Sequence, residues 1–311
     1  MTHGTESETI GTDENAKNMC SERNWNIRML NIIFVSVGFL VIFVAFNTTE
    51  NFMTSLYGNY GMISLCSIYL SFAVCGLFVP LIIRRIGEKW TLVIGGICIV
   101  PFLTMNIFAN VYLLIVMSLF VGFGQSVLWC AQGSLLTRCS KPEKRGRNSG
   151  IFFFIYQLNQ SVGNGFAYVM TLTGLQLVYL FIIFTCLCVI GIVPFIFIQM
   201  GVLPDIERVS IKTDLRNLWK VFKSPAMLLL FPLFIYSGIT QCYIYGEVTA
   251  MFGVEWVSIA MCVFGTVNMV VSLIFGRISD TIGRIPTLII ASLVMFMGLF
   301  SIVLHFFLGS L

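Results

Sequence analysis

Nine apolar stretches follow one another along the chain, separated by short polar connections. Each has close to the roughly 20 mostly apolar residues that a helix needs to cross a bilayer. The pattern predicts an all-α membrane protein with about nine transmembrane helices. The stretches are 26–46, 60–83, 91–109, 112–137, 149–170, 174–199, 225–246, 255–275 and 286–309.

Positive charges alternate between these connections. The 18 Lys and Arg residues lie at or before the start of the first stretch, or after the second, fourth, sixth and eighth. The other connections carry only acids, at Glu50, Glu247 and Glu255. Because Lys and Arg are retained in the cytosol, the alternation predicts a multi-pass protein with a cytosolic N-terminus. The membrane would be the plasma membrane or an endomembrane.

The chain divides into four predicted segments. Residues 1–24 are polar and predict a disordered cytosolic tail. Residues 25–199 predict a six-helix bundle, and 225–311 predict three helices of a partial second half. Between them, 200–224 is a cytosolic linker that predicts either a short helix in the membrane interface or an irregular connection. The apolar face of that helix would consist of Leu215, Leu218, Trp219 and Phe222.

Composition narrows the possible functions. Hydrophobic residues make up 58% of the chain, charged residues make up 10%, and the mean hydropathy is +0.93, which excludes a soluble binding module. The Lys and Arg residues are explained by their role in orienting the helices in the membrane, so we expect no nucleic-acid partner. Most of the ten cysteines lie inside predicted helices, and the two histidines are far apart at His3 and His305. The sequence shows no Cys or His residues at the spacing of metal ligands, no nucleophile–base pair and no phosphate-binding loop. We therefore expect no catalytic residue, metal, cofactor or enzyme activity.

Two related segments indicate an internal repeat. Residues 76–91 read GLFVPLIIRRIGEKWT, and residues 272–287 read SLIFGRISDTIGRIPT. Aligning Gly87 with Gly283 gives an offset of 196 residues. Two halves repeated in the same orientation are how a six-plus-six transporter fold is built.

The second copy contains a loop with the spacing G-x-x-x-D-x-x-G-R, formed by Gly276, Asp280, Gly283 and Arg284. This loop resembles the cytosolic loop of the major facilitator superfamily. The resemblance implies close helix approach at the glycines, and a bond from Asp280 to helix amides or to a cytosolic Arg. The alternative is a solvated turn. We call this contact at the cytosolic face the latch. The first copy has Pro80 and Arg84 where Gly and Asp would stand, so we expect the latch to be weaker in the first half.

Further segments are similar to the uncoordinated-93 (Unc-93-like) family of that superfamily. They are residues 69–80, 128–137, 150–157, 163–164, 232–241 and 247–249. The resemblance covers about residues 25–311. It implies a major-facilitator-like helical bundle, and a function like that of members that regulate a potassium channel or escort other membrane proteins. Typical members have twelve helices, so three helices of the second half are not accounted for here.

Polar side chains at helical spacing give candidate binding positions. On the fourth and seventh predicted helices they predict a central cavity lined by Gln125, Trp129, Gln132, Tyr236, Thr240 and Tyr243. On the fifth helix, Gln157, Gln160, Ser161 and Asn164 more simply predict bonds between helices. No acid or base lies in the middle of a predicted span, which argues against a proton relay.

Two acids mark the predicted outer face. Glu50 and Glu247 lie at equivalent ends of the first and seventh predicted helices and predict a negatively charged outer vestibule, or else two solvated helix ends. Asn47-Thr48-Thr49 is a glycosylation sequon, but it adjoins the first apolar stretch, so we do not expect Asn47 to be used.

The sequence therefore predicts a non-enzymatic regulator or escort of another membrane protein, with a potassium channel and membrane lipid as partners. The alternative is a secondary transporter that moves a small polar solute by alternating access. Co-purification with a channel would favour the regulator, and measured flux would favour the transporter.

Overall fold

The structure, a computed structural model, describes residues 5–201, Leu203 and 211–309; for residues 5–23 and scattered later positions it describes the backbone alone. The described residues form ten α-helices and no strand, which confirms the all-α prediction. The helices are α1 (Thr5–Tyr57), α2 (Asn59–Gly76), α3 (Val79–Phe108), α4 (Val111–Cys139), α5 (Arg145–Leu172), α6 (Leu177–Ile196), α7 (Ile211–Phe222), α8 (Pro225–Cys242), α9 (Thr249–Ile282) and α10 (Arg284–Gly309).

Six helical segments are long and apolar enough to cross a membrane within the described residues. They are Asn24–Tyr57, Asn59–Gly76, Val79–Phe108, Val111–Cys139, Leu177–Ile196 and Pro225–Val254. The other three predicted spans correspond to α5, α9 and α10. Shorter apolar runs, Trp256–Ser272 and Ile285–Gly298, lie in α9 and α10. The chain is thus a multi-pass membrane protein, and the count of nine spans stays a prediction.

Helix α1 is longer at both ends than the sequence pattern predicted. It begins at Thr5, so its backbone is helical through most of the segment for which we predicted disorder. No proline interrupts it, and Glu6 and Glu8 lie at its start, where acids favour a helix. At the other end the helix continues past residue 46 to Tyr57. The helix extends because its polar residues there bond to neighbouring helices, as described below.

The first six helices form a bundle around one core. Helix α1 packs against α5 and α6, α3 packs against α4 and α6, and α2 packs against α4. Large aromatic side chains such as Phe39, Phe43 and Phe102 are fully buried in this core. Gly95 of α3 and Gly124 of α4 let two backbones approach closely, since a Cβ on either would overlap the other's carbonyl oxygen.

The second half joins this bundle mainly through α9. Helix α9 packs along α5 and also contacts α1. A Cβ on Gly265 would overlap Gln160 of α5, so the two helices meet there at close range. Helix α8 continues through a π-helical segment, Tyr243–Val248, into α9, and α10 packs against α9.

The backbone repeats at the offset seen in the sequence. Gly87 and Gly283, which the alignment pairs, both have positive φ angles, of 79° and 90°. Gly58 and Gly253, which are 195 residues apart, have φ angles of 53° and 64°. Because glycine adopts these angles with little strain, the repeat places the same breaks in the helical backbone in both halves.

A buried polar network between the two halves

The most polar part of the interior lies where α1 meets α5. Asn47 Nδ2 donates to Asn159 Oδ1 at 2.8 Å. One turn further, Asn51 Nδ2 donates to Asn164 Oδ1 at 2.9 Å and to Gln160 Oε1 at 3.2 Å. All five side chains are buried. The amides of the two helices bond to one another, as expected for polar groups buried between helices.

The same network reaches the segment that follows α8. Gln160 Nε2 donates to the Tyr245 hydroxyl at 3.0 Å. The hydroxyls of Thr54 and Thr249 lie 3.0 Å apart, and the Ser55 hydroxyl donates to the Thr249 carbonyl at 3.0 Å. These bonds tie the first bundle to the start of the second half.

Glu50 is a carboxyl group inside the span of α1. Its side chain is 4% exposed, and the Tyr69 hydroxyl of α2 donates to its Oε1 at 2.7 Å. Tyr156, Tyr245 and Cys242 also interact electrostatically with this carboxyl group. We expected Glu50 in a connection, because the predicted first span ends at residue 46, whereas α1 continues through Glu50 to Tyr57. The expectation that no acid lies in the middle of a span stays a prediction.

An aromatic cluster lies next to the amide network. The Trp129 ring is 5.3 Å from Phe39, 5.7 Å from Phe43 and 5.1 Å from Tyr156, measured between ring centroids. Tyr156 also accepts from Asn47 at 3.5 Å, so the cluster and the network share a residue. Trp129 is therefore part of the packed interior between α1, α4 and α5.

A cavity common to the six predicted residues stays a prediction, and their surroundings in the structure differ. Gln125 and Gln132 are buried in α4. Thr240 is buried in α8, where its hydroxyl donates to the Tyr236 carbonyl at 2.9 Å, and Tyr243 is half-buried. Tyr236 lines a cavity of about 410 Å³ that faces α10. Its other lining residues are Leu288, Ile289, Ser292, Leu293 and Phe296.

The two predicted vestibule acids differ in exposure. Glu247 is exposed in the π-helical segment, whereas Glu50 is buried against Tyr69. A negative outer vestibule stays a prediction, and Glu247 is its exposed member. Asn47 is 6% exposed and its amide donates to Asn159, so the folded protein offers no room for a glycan there.

The predicted latch loop lies largely outside the described side chains. The surroundings of Gly276 and the side chains of Asp280 and Arg284 lie outside the described part of the chain. Gly283 has a φ of 90°. The Asp280 latch stays a prediction.

The corresponding place in the first half carries a buried ion pair. Arg138 of α4 lies 2.5 Å from Oε1 of Glu88, whose side chain is fully buried. Ser134 donates to the same oxygen at 2.8 Å. Glu88 follows the repeat glycine Gly87, as Arg284 follows Gly283. The residue after the repeat glycine is therefore negative in the first copy and positive in the second.

Sequence reasoning missed several members of the network. Asn51, Tyr69, Asn159 and Tyr245 were not singled out, and Glu50 was assigned to a connection. The available signal was the spacing of Asn47, Asn51 and Thr54 at i, i+4 and i+7, which puts them on one helical face. It was overlooked because the segment reads as a polar turn.

Two solved structures share the fold of this chain. The chain is similar to the D-xylose-proton symporter at a TM-score of 0.53 and 12% identity, covering 83% of this chain and 68% of that one. It is similar to the peptide transporter POT at a TM-score of 0.50 and 12% identity, covering 71% and 48%. At this identity the likeness shows the fold, which is that of the major-facilitator-like membrane proteins.

The family is narrower than the fold. Residues 54–310 match the family model described as ion channel regulatory protein UNC-93, and the chain belongs to this family. The chain is 29% identical to protein unc-93 homolog A of Xenopus laevis, over 84% of this chain and 70% of that protein. It is 27% identical to UNC93-like protein 3 of Arabidopsis thaliana, over 83% and 62%.

A third relative bears a name that states a function. The chain is 26% identical to the putative potassium channel regulatory protein unc-93 of Caenorhabditis elegans, over 86% of this chain and 46% of that protein. The chain thus spans between about half and 70% of the length of these three relatives.

Proposed function

We propose that this chain is a non-enzymatic regulator or escort of another membrane protein, and that a potassium channel is its partner. The observation that carries the proposal is the match to the UNC-93 family over residues 54–310. The name of the Caenorhabditis elegans relative supports the choice of a potassium channel.

The interior supports a structural role for the polar residues. Asn47, Asn51 and Gln160 bond to other protein groups, and Trp129 is packed among aromatic rings. A network of this kind holds helices in one arrangement, which suits a protein that presents a fixed surface to a partner. The exposed Glu247 would lie on the outer side of that surface and dock a basic loop of the partner.

Co-purification tests the proposal. The tagged chain would be expressed with each member of a panel of potassium channels and recovered from gently solubilised membranes. We expect one channel to be retained at a fixed ratio, and an untagged copy of this chain to compete. Failure to retain any channel, in cells where both proteins reach the same membrane, would contradict the proposal.

A second candidate function rests on Glu50. A carboxyl group within a span, as found here, is a common feature of proton relays in transporters. If the chain moves a polar solute with protons, purified protein in vesicles should show solute flux driven by a pH gradient. Glu50→Gln should abolish that flux, while Tyr60→Phe, which changes an exposed side chain, should not. The regulator proposal expects no such flux from either protein.

A further inference from the structure

Helix α7 has its cations on one side and its aromatic residues on the adjacent side. Arg216, Lys220 and Lys223 follow at i, i+4 and i+7, so they share one helical face. Trp219 and Phe222 lie on the neighbouring face. The acid within α7, Asp214, lies two residues before Arg216 and so on the other side of the helix, and no further Asp or Glu follows until Glu247.

Ring contacts fix how α7 is held. The Trp219 and Phe222 rings stack with centroids 5.7 Å apart. Phe222 also meets Phe231 of α8 edge-on at 5.3 Å, and this contact anchors the end of α7 to the next helix. Lys223 Nζ lies 4.7 Å from the centre of the Trp219 ring.

The remaining surface of α7 is exposed. Trp219 is 58% exposed and Val221 is 60% exposed. The side chains of Arg216, Lys220 and Lys223 are exposed as well. An exposed indole beside three cations matches the boundary of a bilayer, where aromatic rings sit among headgroups and cations attract anionic lipid.

We infer that α7 is a docking surface for anionic phospholipid headgroups. Arg216, Lys220 and Lys223 would contact lipid phosphate and carboxylate groups, while Trp219 enters the headgroup layer. A Lys or Arg near an anionic membrane strengthens association by about fivefold. This inference is independent of the proposed channel partner, since it needs only a membrane protein with α7 at the bilayer surface.

Hydrogen exchange of the whole chain in nanodiscs tests the inference. Amide exchange across 211–223 would be compared between phosphatidylcholine discs and discs that also contain phosphatidylserine. We expect phosphatidylserine to slow exchange in α7, and added salt to reverse the effect because it screens exposed charges. In R216Q/K220Q/K223Q, exchange should be equal in the two kinds of disc.

Two further variants control for charge and folding. R216K/K220R/K223R keeps the charge and should keep the phosphatidylserine effect. K144Q/R145Q/R147Q removes three exposed charges from the connection between α4 and α5, and should also keep it. No slowing in the wild type, or equal loss in both neutralised variants, would overturn the inference. Slowing by a bound channel, with no response to phosphatidylserine, would assign α7 to a protein partner instead.

Discussion

Glu50 and Asn51 are neighbours in α1 that bond to different helices. Glu50 accepts from Tyr69 of α2, while Asn51 donates to Gln160 and Asn164 of α5. Polar groups buried in a membrane are costly unless they are paired. Each partner therefore matters more to stability than a surface bond of the same length would.

Replacing Tyr69 tests the bond to Glu50. Tyr69→Phe should lower the free energy of unfolding by about 1–3 kcal/mol, because the buried carboxyl loses its donor. Thermal unfolding in detergent measures the change. Tyr60→Phe removes a hydroxyl from a side chain that is 46% exposed and serves as the control. Equal stability of the two variants would show that the bond contributes nothing.

The Glu88–Arg138 pair predicts an asymmetric response. Arg138→Met leaves the fully buried Glu88 without its cation and should cost about 3–5 kcal/mol. Glu88→Gln should cost less, because the Arg138 side chain is 18% exposed and keeps access to water. Chemical unfolding of both single variants checks the order. A larger loss for Glu88→Gln would contradict this account of the pair.

Close contacts between helices depend on small residues. Gly122 of α4 faces α2 so closely that a Cβ would overlap the Ile68 carbonyl oxygen. Gly133 of the same helix has nothing within 4 Å of a Cβ position. Substitutions at these two glycines therefore distinguish the effect of helix packing from the effect of helix propensity within one helix.

Alanine at the two glycines should have opposite effects. Gly122→Ala should destabilise the protein by about 1–3 kcal/mol, because α2 and α4 must move apart. Gly133→Ala should be neutral or stabilising by up to about 1 kcal/mol, because alanine favours the helix. Melting temperatures of the two variants measure this. Destabilisation by both to the same degree would argue against close packing at Gly122.

The repeat glycines give a second comparison between elements. Gly87→Ala and Gly283→Ala should each cost about 1–2 kcal/mol, because alanine is strained at their positive φ angles. Gly150→Ala in α5, where nothing lies within 4 Å of a Cβ position, is the control. If either repeat variant is as stable as the control, the two halves do not share this backbone conformation.

Apolar periodicity predicted most helices well and their polar ends poorly. Each of the nine stretches is mostly helical, although 60–83 is divided between α2 and α3, and a helix is present at Ile211–Phe222 in the linker. The pattern ended the first helix at residue 46 because Asn47, Thr48 and Glu50 look like a polar turn. The partners of Asn47 and Glu50, on α5 and α2, are distant in sequence, and only the fold shows these bonds.

At the scale of the whole molecule, the network and the α5–α9 contact join the two halves. Gln160 takes part in both, since it bonds to Tyr245 and packs on Gly265. The membership of the chain in the UNC-93 family was predictable from short motifs, and the fold likeness to transporters agrees with it. The shared network was not predictable, because it needs the register between helices.

The charge alternation predicts the orientation of the molecule. Epitopes placed at 138–148 and 200–224 should be reached by antibody only after the plasma membrane is permeabilised, as should one at the N-terminus. An epitope at Gly174, between α5 and α6, should be reached in intact cells. Labelling of the 138–148 epitope in intact cells would contradict the topology.

The proposal that this chain regulates a potassium channel is best tested by recording the potassium current. The current of a channel that co-purifies with the chain would be recorded with and without the chain, at matched surface amounts of the channel. We expect a reproducible change in current amplitude or voltage dependence, and a smaller change with Tyr69→Phe. An identical current in the presence and absence of the chain would contradict it.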